Sequence, residues 1–385
     1  MKKRILYVLR PVEGGIGEHV KILAEEINSP YQVFIACPPD TGMLKKLEKG
    51  EIQVIPFKLQ GNISPWSDFI NVFYLSRILK KYKIDLLHLH GYKAGLIGRL
   101  AARISRDIPV VLTLHNFRDY QRKSILPGFC FTGIEKILSR KTDTIITVSQ
   151  ALKEDLLSNL GIEENRVVRI YNGIDYLKYS SFQKGFSIEP VRTRGKDNNV
   201  KGLVVGAAAR LAPQKGIEDF LIASKLVLQK DIKKKVRFLI AGEGPLRKSL
   251  EDQVRKLGMH KYVFFLGYVD NMPEYLSSLD LFVLPSRSEG LSITLLQALA
   301  VKRPVVATET GGVPEIVSHG STGYLVSAAN PFSMAEGIEK MLNNAHLRNS
   351  LAQRGQELVR ENFTREKMVE RTRALYEEIL EGLGK

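Results

Sequence analysis

Cysteine is scarce in this sequence, because Cys37 and Cys130 are the only two among 385 residues. They show neither the spacing of a metal site nor the several pairs of a disulfide framework. Long apolar runs are missing as well, since none approaches the roughly 18 residues that span a bilayer as a helix. The run from Ile5 to Leu9 is too short for a secretory signal and predicts a first β-strand instead. These absences favour a reducing, cytoplasmic setting.

Motifs of nucleic-acid-binding proteins are also missing, although the chain carries a net charge of +16. No zinc-finger spacing, RNA-recognition signature or basic DNA-binding helix is present. The positive charge then has two remaining interpretations: attraction to an anionic membrane surface, or a basic surface that only keeps the protein in solution. We therefore expect no nucleic-acid partner.

The sequence does contain a regular alternation of short apolar segments and helical patterns. At 385 residues it is long enough for two domains of ordinary size. Because strands alternate with helices, we predict an α/β fold with mostly parallel, doubly wound sheets, whose ligands bind at the carboxyl ends of the strands. The predicted strands are Ile5–Leu9, Gln32–Ala36, Gln53–Pro56, Leu86–Leu89, Val110–Thr113, Thr144–Val148, Val167–Ile170, Leu203–Ala208, Val236–Ile240, Val263–Leu266, Leu281–Leu284 and Pro304–Ala307.

Several candidate site residues follow strands of the N-terminal half. Gly14 and Gly15 lie in a loop after the first strand, where glycine lets the backbone approach a ligand before a helix begins. Histidines stand near two further strand ends, as His88 and His90 and as His115. The glycine loop has neither the G-x-G-x-x-G spacing of dinucleotide-binding proteins nor the Walker A sequence.

The stretch from Leu284 to Val326 is the most informative part of the chain. It begins at the end of an apolar strand and continues through Glu289-Gly290 into a helical run. A second apolar strand leads into Thr310-Gly-Gly-Val-Pro314 and a further predicted helix start at Glu315. Two successive loops that feed helix N-termini direct backbone N–H groups toward one place, which suits an anionic ligand such as a phosphate.

A second motif opens the C-terminal half. The strand Leu203–Ala208 is followed by Arg210 and, five residues later, by Lys215-Gly216. Two fixed cations at a strand end would stabilise negative charge on a bound ligand. No Asp-x-Asp motif and no sequence cluster with metal-ligand spacing is present, so we expect a site that needs no metal ion and no cofactor.

Both motifs resemble those of family 4 of the retaining nucleotide-sugar glycosyltransferases, which have the GT-B fold of two facing Rossmann-like domains. In that family two glutamates separated by seven residues hold the transferred sugar and the ribose of the donor. This chain has Glu289 at the first position and Gln297 at the second. The chain therefore matches the family at the sugar contact, Glu289, and departs from it at the ribose contact, Gln297.

The resemblance also implies roles for individual residues. It assigns catalysis to Glu289, His115, Arg210 and Lys215, with the two cations holding the diphosphate. Acceptor contacts would come from His19, His115 and Arg118. Donor contacts would come from Gly14, Gly15, Arg210, Lys215, Gly267, Val269, Glu289, Gly290, Leu291, Ser292 and Gln297.

For domain organisation, the resemblance implies an acceptor-binding domain over residues 1–180 and a nucleotide-sugar-binding domain over residues 201–363. A polar, basic linker would occupy residues 181–200. The last amphipathic helix, within residues 364–385, would cross back and complete the first domain.

One segment of the N-terminal half bears on the acceptor. Basic residues interleave with aromatic residues from Arg118 to Lys141. This segment has two interpretations that the sequence does not separate. It lies against an anionic membrane or binds a lipid-linked acceptor, or it is an ordinary loop and helix that cover the sheet.

The resemblance implies a retaining hexosyltransferase that moves a sugar from a nucleotide-diphosphate donor, a UDP-sugar before a GDP-sugar, to a hydroxyl of a glycan or lipid-linked acceptor. Cell-surface polysaccharide or glycolipid synthesis at the inner face of the membrane fits this activity. The alternatives are an epimerase or hydrolase of the same fold, a non-catalytic sugar-nucleotide-binding protein, and an NAD-binding oxidoreductase. The missing G-x-G-x-x-G spacing disfavours the oxidoreductase.

Overall fold

In a computed structural model, the chain divides into two compact units. Unit 1 comprises residues 1–173 and 365–385, and unit 2 comprises residues 174–364. The structure describes residues 2–10, 14–39, 52–59, 64–105, 108–117, 128–140, 142–182, 202–230 and 236–382. The units therefore meet in sequence at Gly173 and Ile174, ahead of the predicted linker, most of which lies outside the described residues.

Unit 1 is built on a parallel sheet whose strand order is β3-β2-β1-β4-β5-β6-β7. Its strands are β1 Arg4–Val8, β2 Gln32–Cys37, β3 Gln53–Pro56, β4 Leu86–His90, β5 Val110–Leu114, β6 Thr144–Thr147 and β7 Val167–Arg169. Strand β1 lies between β2 and β4, with Ile5 opposite Val33 on one side and Leu86 on the other. The order of the strands along the chain reverses between β1 and β4, and such a switch point is where doubly wound sheets bind ligands.

The helices of unit 1 connect its parallel strands, as a parallel sheet requires. They are α1 Gly15–Ile27, α2 Pro65–Lys81, α3 Tyr92–Ser105, α4 Gly128–Ser139 and α5 Gln150–Leu160. The last helix of the chain joins this unit although unit 2 precedes it in sequence. Its buried residues include Met368, Val369 and Tyr376, which belong to the same hydrophobic core as Ile5 and Val20.

Unit 2 contains a second parallel sheet, with the strand order β10-β9-β8-β11-β12-β13. Its strands are β8 Leu203–Ala208, β9 Val236–Ala241, β10 Val263–Gly267, β11 Leu281–Leu284, β12 Val305–Glu309 and β13 Tyr324–Ser327. The order again reverses between the first strand of the unit, β8, and the fourth, β11. This is the strand order of the Rossmann fold, and its switch point lies between β8 and β11.

The helices of unit 2 cover this sheet around a core that includes Phe220, Phe238 and Val283. They are α6 Tyr176–Ser180, α7 Ile217–Gln229, α8 Arg247–Lys256, α9 Met272–Ser278, α10 Ile293–Ala300, α11 Pro331–Asn343 and α12 Ala345–Asn362. The last helix of the chain, α13 Arg365–Gly382, belongs to unit 1. No helix among the described residues is long and apolar enough to cross a membrane.

The predicted fold class is confirmed, since both units have the parallel, doubly wound arrangement of the GT-B fold. Each predicted strand is present with ends that agree to within two residues, and β13 is an additional strand.

The helix predicted to start at Glu315 is wrong, because Val313–Glu315 form only a 3₁₀ turn. The Thr322 side chain accepts a hydrogen bond from the Ser318 amide and donates one to the Ile316 carbonyl. These bonds occupy backbone groups that a continuing helix would need.

Candidate active site

The carboxyl end of β8 carries the two predicted cations. After the strand, the chain passes Arg210, which is exposed, and enters a 3₁₀ turn at Pro213–Lys215. Gly216 ends this turn with a φ of 61° and precedes α7. A Cβ atom at this position would lie 2.0 Å from the carbonyl oxygen of Pro285, so only glycine lets the β8 loop approach the β11 loop this closely.

The β8 loop and the β11 loop are joined by hydrogen bonds at the switch point. The Gln214 carbonyl accepts the amides of Arg287 and Ser288, at 2.9 and 3.3 Å. The Arg287 guanidinium donates to both carboxylate oxygens of Asp219, at 2.7 and 2.8 Å, and Asp219 lies on the first turn of α7. Because Asp219 is buried, this paired arrangement fixes the β11 loop against α7.

The fixed loops bring Lys215 and Glu289 into contact although 74 positions separate them in sequence. The Lys215 Nζ lies 2.5 Å from the Glu289 Oε2, and the side chains are 21% and 8% exposed. The acid is therefore held almost out of water beside one cation. This contact joins the motif that contains Arg210 and Lys215 to the motif that contains Glu289. The sequence alone did not predict that the two motifs touch.

A third loop, after β12, closes the other side of Glu289. The Gly312 amide donates to the carbonyls of Glu289 and Gly290, at 3.3 and 3.1 Å. The Thr308 hydroxyl donates to the carbonyl of Ser286 at 2.5 Å. The backbone around the candidate catalytic acid is thus tied to two neighbouring strand ends.

The residues after Glu289 lead into helix α10. Ser292 is its N-cap and accepts a hydrogen bond from the Leu295 amide at 3.3 Å. Leu291, Ser292 and Gln297 are buried, with Gln297 on the second turn of the helix. The predicted donor residues between Glu289 and Gln297 are therefore all buried, and they follow the carboxyl end of β11.

The other predicted donor residues of unit 2, Gly267 and Val269, lie at and just after the end of β10, which is three strands from β11 in the sheet. Gly267 ends β10 with a φ of 74°, and its carbonyl accepts the Gly242 amide at 2.7 Å. The Leu211 amide in turn donates to the Glu243 carbonyl at 2.9 Å. The loops after β10, β9 and β8 are therefore connected to one another, and Val269 follows on the first of them.

In unit 1 the predicted residues gather at the equivalent edge. Gly14 adopts a φ of 88° and Gly15 starts α1, which carries His19 on its buried face. His115 directly follows β5. The rings of His19 and His115 meet edge to face with centroids 4.7 Å apart. Arg118 lies outside the described residues.

Two more histidines, His88 and His90, complete a buried polar group. The sequence analysis assigned them no role. His90 Nδ1 lies 3.1 Å from His115 Nε2, and His88 Nε2 lies 2.6 Å from the Thr113 hydroxyl. The other ring nitrogen of His88 is hydrogen-bonded to the hydroxyl of Tyr376, on the C-terminal helix α13. The alternating histidines of β4 were a usable signal, but their partners come from three other elements.

Burial sets the protonation of this histidine cluster, which consists of His19, His88, His90 and His115. Desolvation lowers the pKa of His19 to about 4, with a partial offset from the neighbouring Asn172. It also holds the pKa values of the other three well below the usual 6.5. All four are therefore neutral at pH 7, so His115 can donate or accept a hydrogen bond but supplies no positive charge.

The same cluster contains the described residues best placed to hold a metal ion. His19, His90 and His115 each offer a ring nitrogen, and these three atoms lie within 4.8 Å of one another. A 3.1 Å hydrogen bond already joins His90 Nδ1 to His115 Nε2, so a cation bound through these two atoms would have to replace it.

Two family profiles cover most of the chain. The profile described as Glycosyltransferase Family 4 matches residues 13–176, and the one described as Glycosyl transferases group 1 matches residues 192–358. An uncharacterized glycosyltransferase of Methanocaldococcus jannaschii is 33% identical over 98% of this chain and 99% of its own length.

Other similar proteins have more specific names. An Escherichia coli UDP-Gal:alpha-D-GlcNAc-diphosphoundecaprenol alpha-1,3-galactosyltransferase is 25% identical over 97% of each chain. Anabaena HepE in complex with UDP-glucose matches the fold with a TM-score of 0.82 at 22% identity, over 97% of this chain and 99% of HepE. Together with the two sheets and their switch points, these matches show that the chain belongs to the group 1 glycosyltransferases of the GT-B fold.

Proposed function

We propose that this glycosyltransferase transfers a hexose from a UDP-sugar to a hydroxyl of a lipid-linked or polysaccharide acceptor. The observation that carries the proposal is the contact between Lys215 and Glu289 at the switch point of unit 2, with Arg210 exposed on the same loop. A diphosphate beside Lys215 and Arg210 would place the sugar attached to it next to the Glu289 carboxylate. The joined β8 and β11 loops would thus hold both the leaving group and the transferred sugar.

UDP as the nucleotide is supported by similar proteins. HepE has been crystallised with UDP, with UDP and glucose, and with UDP-glucose, and the E. coli relative is named for UDP-Gal. Gln297 stands where the resemblance implies a ribose contact. Its amide can bind a ribose diol, because it offers one acceptor oxygen and two N–H donors.

A lipid-linked acceptor is supported by the names of two relatives. The E. coli relative and a Campylobacter jejuni relative, 28% identical over 83% of this chain, are both named for diphospho-undecaprenol substrates. We propose the neutral His115 as the group that orients the acceptor hydroxyl or the transferred sugar. An enzyme that uses such an acceptor would work as a peripheral protein at the cytoplasmic membrane surface.

We further propose retention at the anomeric carbon. The Glu289 carboxylate is ion-paired with Lys215 at 2.5 Å. Because this pairing stabilises its negative charge, Glu289 is better suited to accept hydrogen bonds from sugar hydroxyls than to attack the sugar. The departing phosphate would then assist attack by the acceptor from the same face. Proton NMR of the first product tests this: an α-linked product from an α-linked UDP-sugar supports retention, and a β-linked product overturns it.

Metal independence is part of the same proposal. Arg210 and Lys215 supply the positive charge that a divalent cation would otherwise provide to the leaving diphosphate. Activity should therefore survive excess EDTA. Loss of activity with EDTA and its return with Mg²⁺ or Mn²⁺ would contradict this part of the proposal.

The direct test of the donor is thermal unfolding against UDP, GDP and ADP and their sugars. A ligand at about 100 times its Kd should stabilise the protein by about 2.7 kcal/mol. We expect UDP and a UDP-hexose to raise the melting temperature and ADP to leave it unchanged. Stabilisation by GDP alone would replace the proposed donor, and stabilisation by none of the nucleotides would overturn the proposal.

A further inference from the structure

Helix α2 of unit 1 presents a continuous apolar stripe to solvent. Trp66, Phe69, Ile70, Phe73 and Tyr74 are 76%, 56%, 52%, 43% and 45% exposed. They recur at i, i+3, i+4, i+7 and i+8, so they lie along one face of the helix. Exposed apolar side chains scattered singly are ordinary, whereas a contiguous set of this size marks a binding surface.

The stripe is not the face that attaches α2 to its unit. The opposite side of the helix already buries Val72, Leu75, Ile78 and Leu79. A helix that is apolar on two sides normally has apolar surroundings on both. Among the described residues, the packing of unit 1 therefore accounts for one face of α2 and leaves the stripe exposed to solvent.

The aromatic side chains of the stripe pack against each other and border a groove. The rings of Trp66 and Phe69 stack at 6.2 Å, and those of Phe69 and Phe73 meet edge to face at 4.9 Å. A cavity of about 580 Å³ runs beside them, and its lining includes the cations Lys58 and Arg77. Apolar and positively charged groups thus share one surface.

The charge of α2 has one sign wherever it is accessible. Its single acidic residue, Asp68, is 14% exposed and lies 2.5 Å from the Lys93 ammonium. Arg77, Lys80 and Lys81 are exposed in its last turns. An apolar stripe flanked by cations is the pattern of a helix that lies in the interface of an anionic membrane.

We propose that the stripe of α2 is a docking surface for an anionic phospholipid bilayer, with Lys58, Arg77, Lys80 and Lys81 against the headgroups. A second copy of the chain fits less well, because an isologous contact would bring the cations of both copies together. The use of such docking rests on the proposed lipid-linked acceptor, since docking would bring the enzyme to a substrate held in the membrane. In sequence, α2 lies apart from the segment between Arg118 and Lys141 that the sequence analysis suggested, and residues 118–127 of that segment lie outside the described residues.

The protein carries its own probe, because Trp66 is its only tryptophan. With phosphatidylglycerol-containing vesicles at low salt, Trp66 emission should shift to shorter wavelength and be quenched by brominated lipid. Both effects should weaken as added salt shortens the Debye length, which is about 10 Å at 0.1 M. Pure phosphatidylcholine vesicles should give a much smaller change.

The matched variants are Phe69→Ser with Phe73→Ser, and Phe332→Ser as a control at an aromatic residue of unit 2 that is 68% exposed. We expect the double variant to partition onto anionic vesicles at least about tenfold more weakly and the control to bind like wild type. Sedimentation with vesicles while Trp66 emission stays constant would show that another surface docks and would overturn the proposal. Absence of vesicle binding, or an oligomer that the double variant dissociates, would also overturn it.

Nucleotide binding separates this proposal from the proposed function. UDP should stabilise the double variant as much as wild type, because α2 belongs to unit 1 and the diphosphate residues to unit 2. Absence of vesicle binding by the wild-type protein, with intact UDP binding, would therefore refute the docking surface alone. Vesicle binding by a protein that no nucleotide stabilises refutes the proposed donor alone.

Discussion

At the scale of single residues, the ion pair of Lys215 and Glu289 changes what a mutation can show. Removing Lys215 would leave the carboxylate of Glu289, whose side chain is 8% exposed, without its cation. An unpaired buried charge destabilises the fold itself. A loss of activity in Lys215→Ala would then mix damage to the protein with loss of a diphosphate contact.

Arg210 gives a cleaner test of the proposed diphosphate site because its side chain is exposed at the edge of the sheet. Arg210→Ala should lower kcat/KM by about 2–4 kcal/mol of transition-state stabilisation. Its melting temperature should stay close to that of wild type. Arg360→Ala, at an exposed arginine of α12, is the matched control. Turnover of Arg210→Ala within about threefold of the control would argue against a role in leaving-group departure.

Gln297 and Glu289 should respond differently to exchange of acid and amide. Gln297→Glu restores the residue that the family resemblance implies for ribose, so we expect an active enzyme whose donor KM changes by no more than about tenfold. Glu289→Gln should instead reduce kcat strongly, because it removes the charge beside the transferred sugar. Steady-state kinetics with varied donor distinguish the two. A folded but inactive Gln297→Glu enzyme would show that Gln297 has another role.

At the scale of elements, Gly216 determines whether the β8 and β11 loops can meet. Gly216→Ala would place a methyl group 2.0 Å from the Pro285 carbonyl oxygen. Gly258→Ala is the matched control, since Gly258 has a φ of 67° against 61° for Gly216 but has nothing within 4 Å of the added atom. We expect Gly216→Ala to lose at least about 2 kcal/mol more unfolding free energy than the control, and to lose UDP binding. Equal stability in a denaturant titration followed by circular dichroism would contradict this.

The histidine cluster predicts how stability depends on pH. The folded pKa of His19 is about 4, below the ordinary value of 6.5 that applies to the unfolded chain. As pH falls below about 6.5, the unfolded state binds protons first, so the contribution to stability is full above this pH and is lost toward pH 4. Each such histidine contributes at most about 1.4 kcal/mol per pH unit in this range.

Urea unfolding followed by Trp66 emission between pH 7.5 and 5 measures this dependence, because Trp66 lies in the same unit as the histidines. His19→Gln should flatten the loss of stability, whereas His346→Gln, at an exposed histidine of unit 2, should leave it unchanged. The same slope in wild type and His19→Gln would show that His19 does not titrate as burial predicts.

Local sequence patterns predicted the elements because each strand is a short apolar run that needs no distant partner to be recognised. They were wrong at Glu315. There the Thr322 side chain is hydrogen-bonded to the Ile316 carbonyl and the Ser318 amide, which the expected helix would have used. The pairing of Asp219 with Arg287 and the histidine cluster were also not predicted. Such contacts join residues far apart in sequence, and only the packed fold brings them together.

At the scale of the whole molecule, the two units share one sheet architecture. Both sheets run parallel, both reverse their strand order beside their first strand, and both place the predicted site residues at the carboxyl edge. The two edges differ in their side chains. That of unit 2 carries Arg210 and the pair of Lys215 with Glu289, whereas that of unit 1 combines neutral histidines with the exposed Arg10.

The central claim is that unit 2 holds the nucleotide at this edge, and amide hydrogen exchange with and without UDP tests it most directly. We predict that UDP slows exchange most strongly in the loops after β8, β10 and β11, at residues 209–216, 267–269 and 285–292. Helix α12 belongs to the same unit but lies far from these loops in sequence. Its amide hydrogens should exchange at an unchanged rate. Protection strongest within unit 1, or no protection at saturating UDP, would contradict the account.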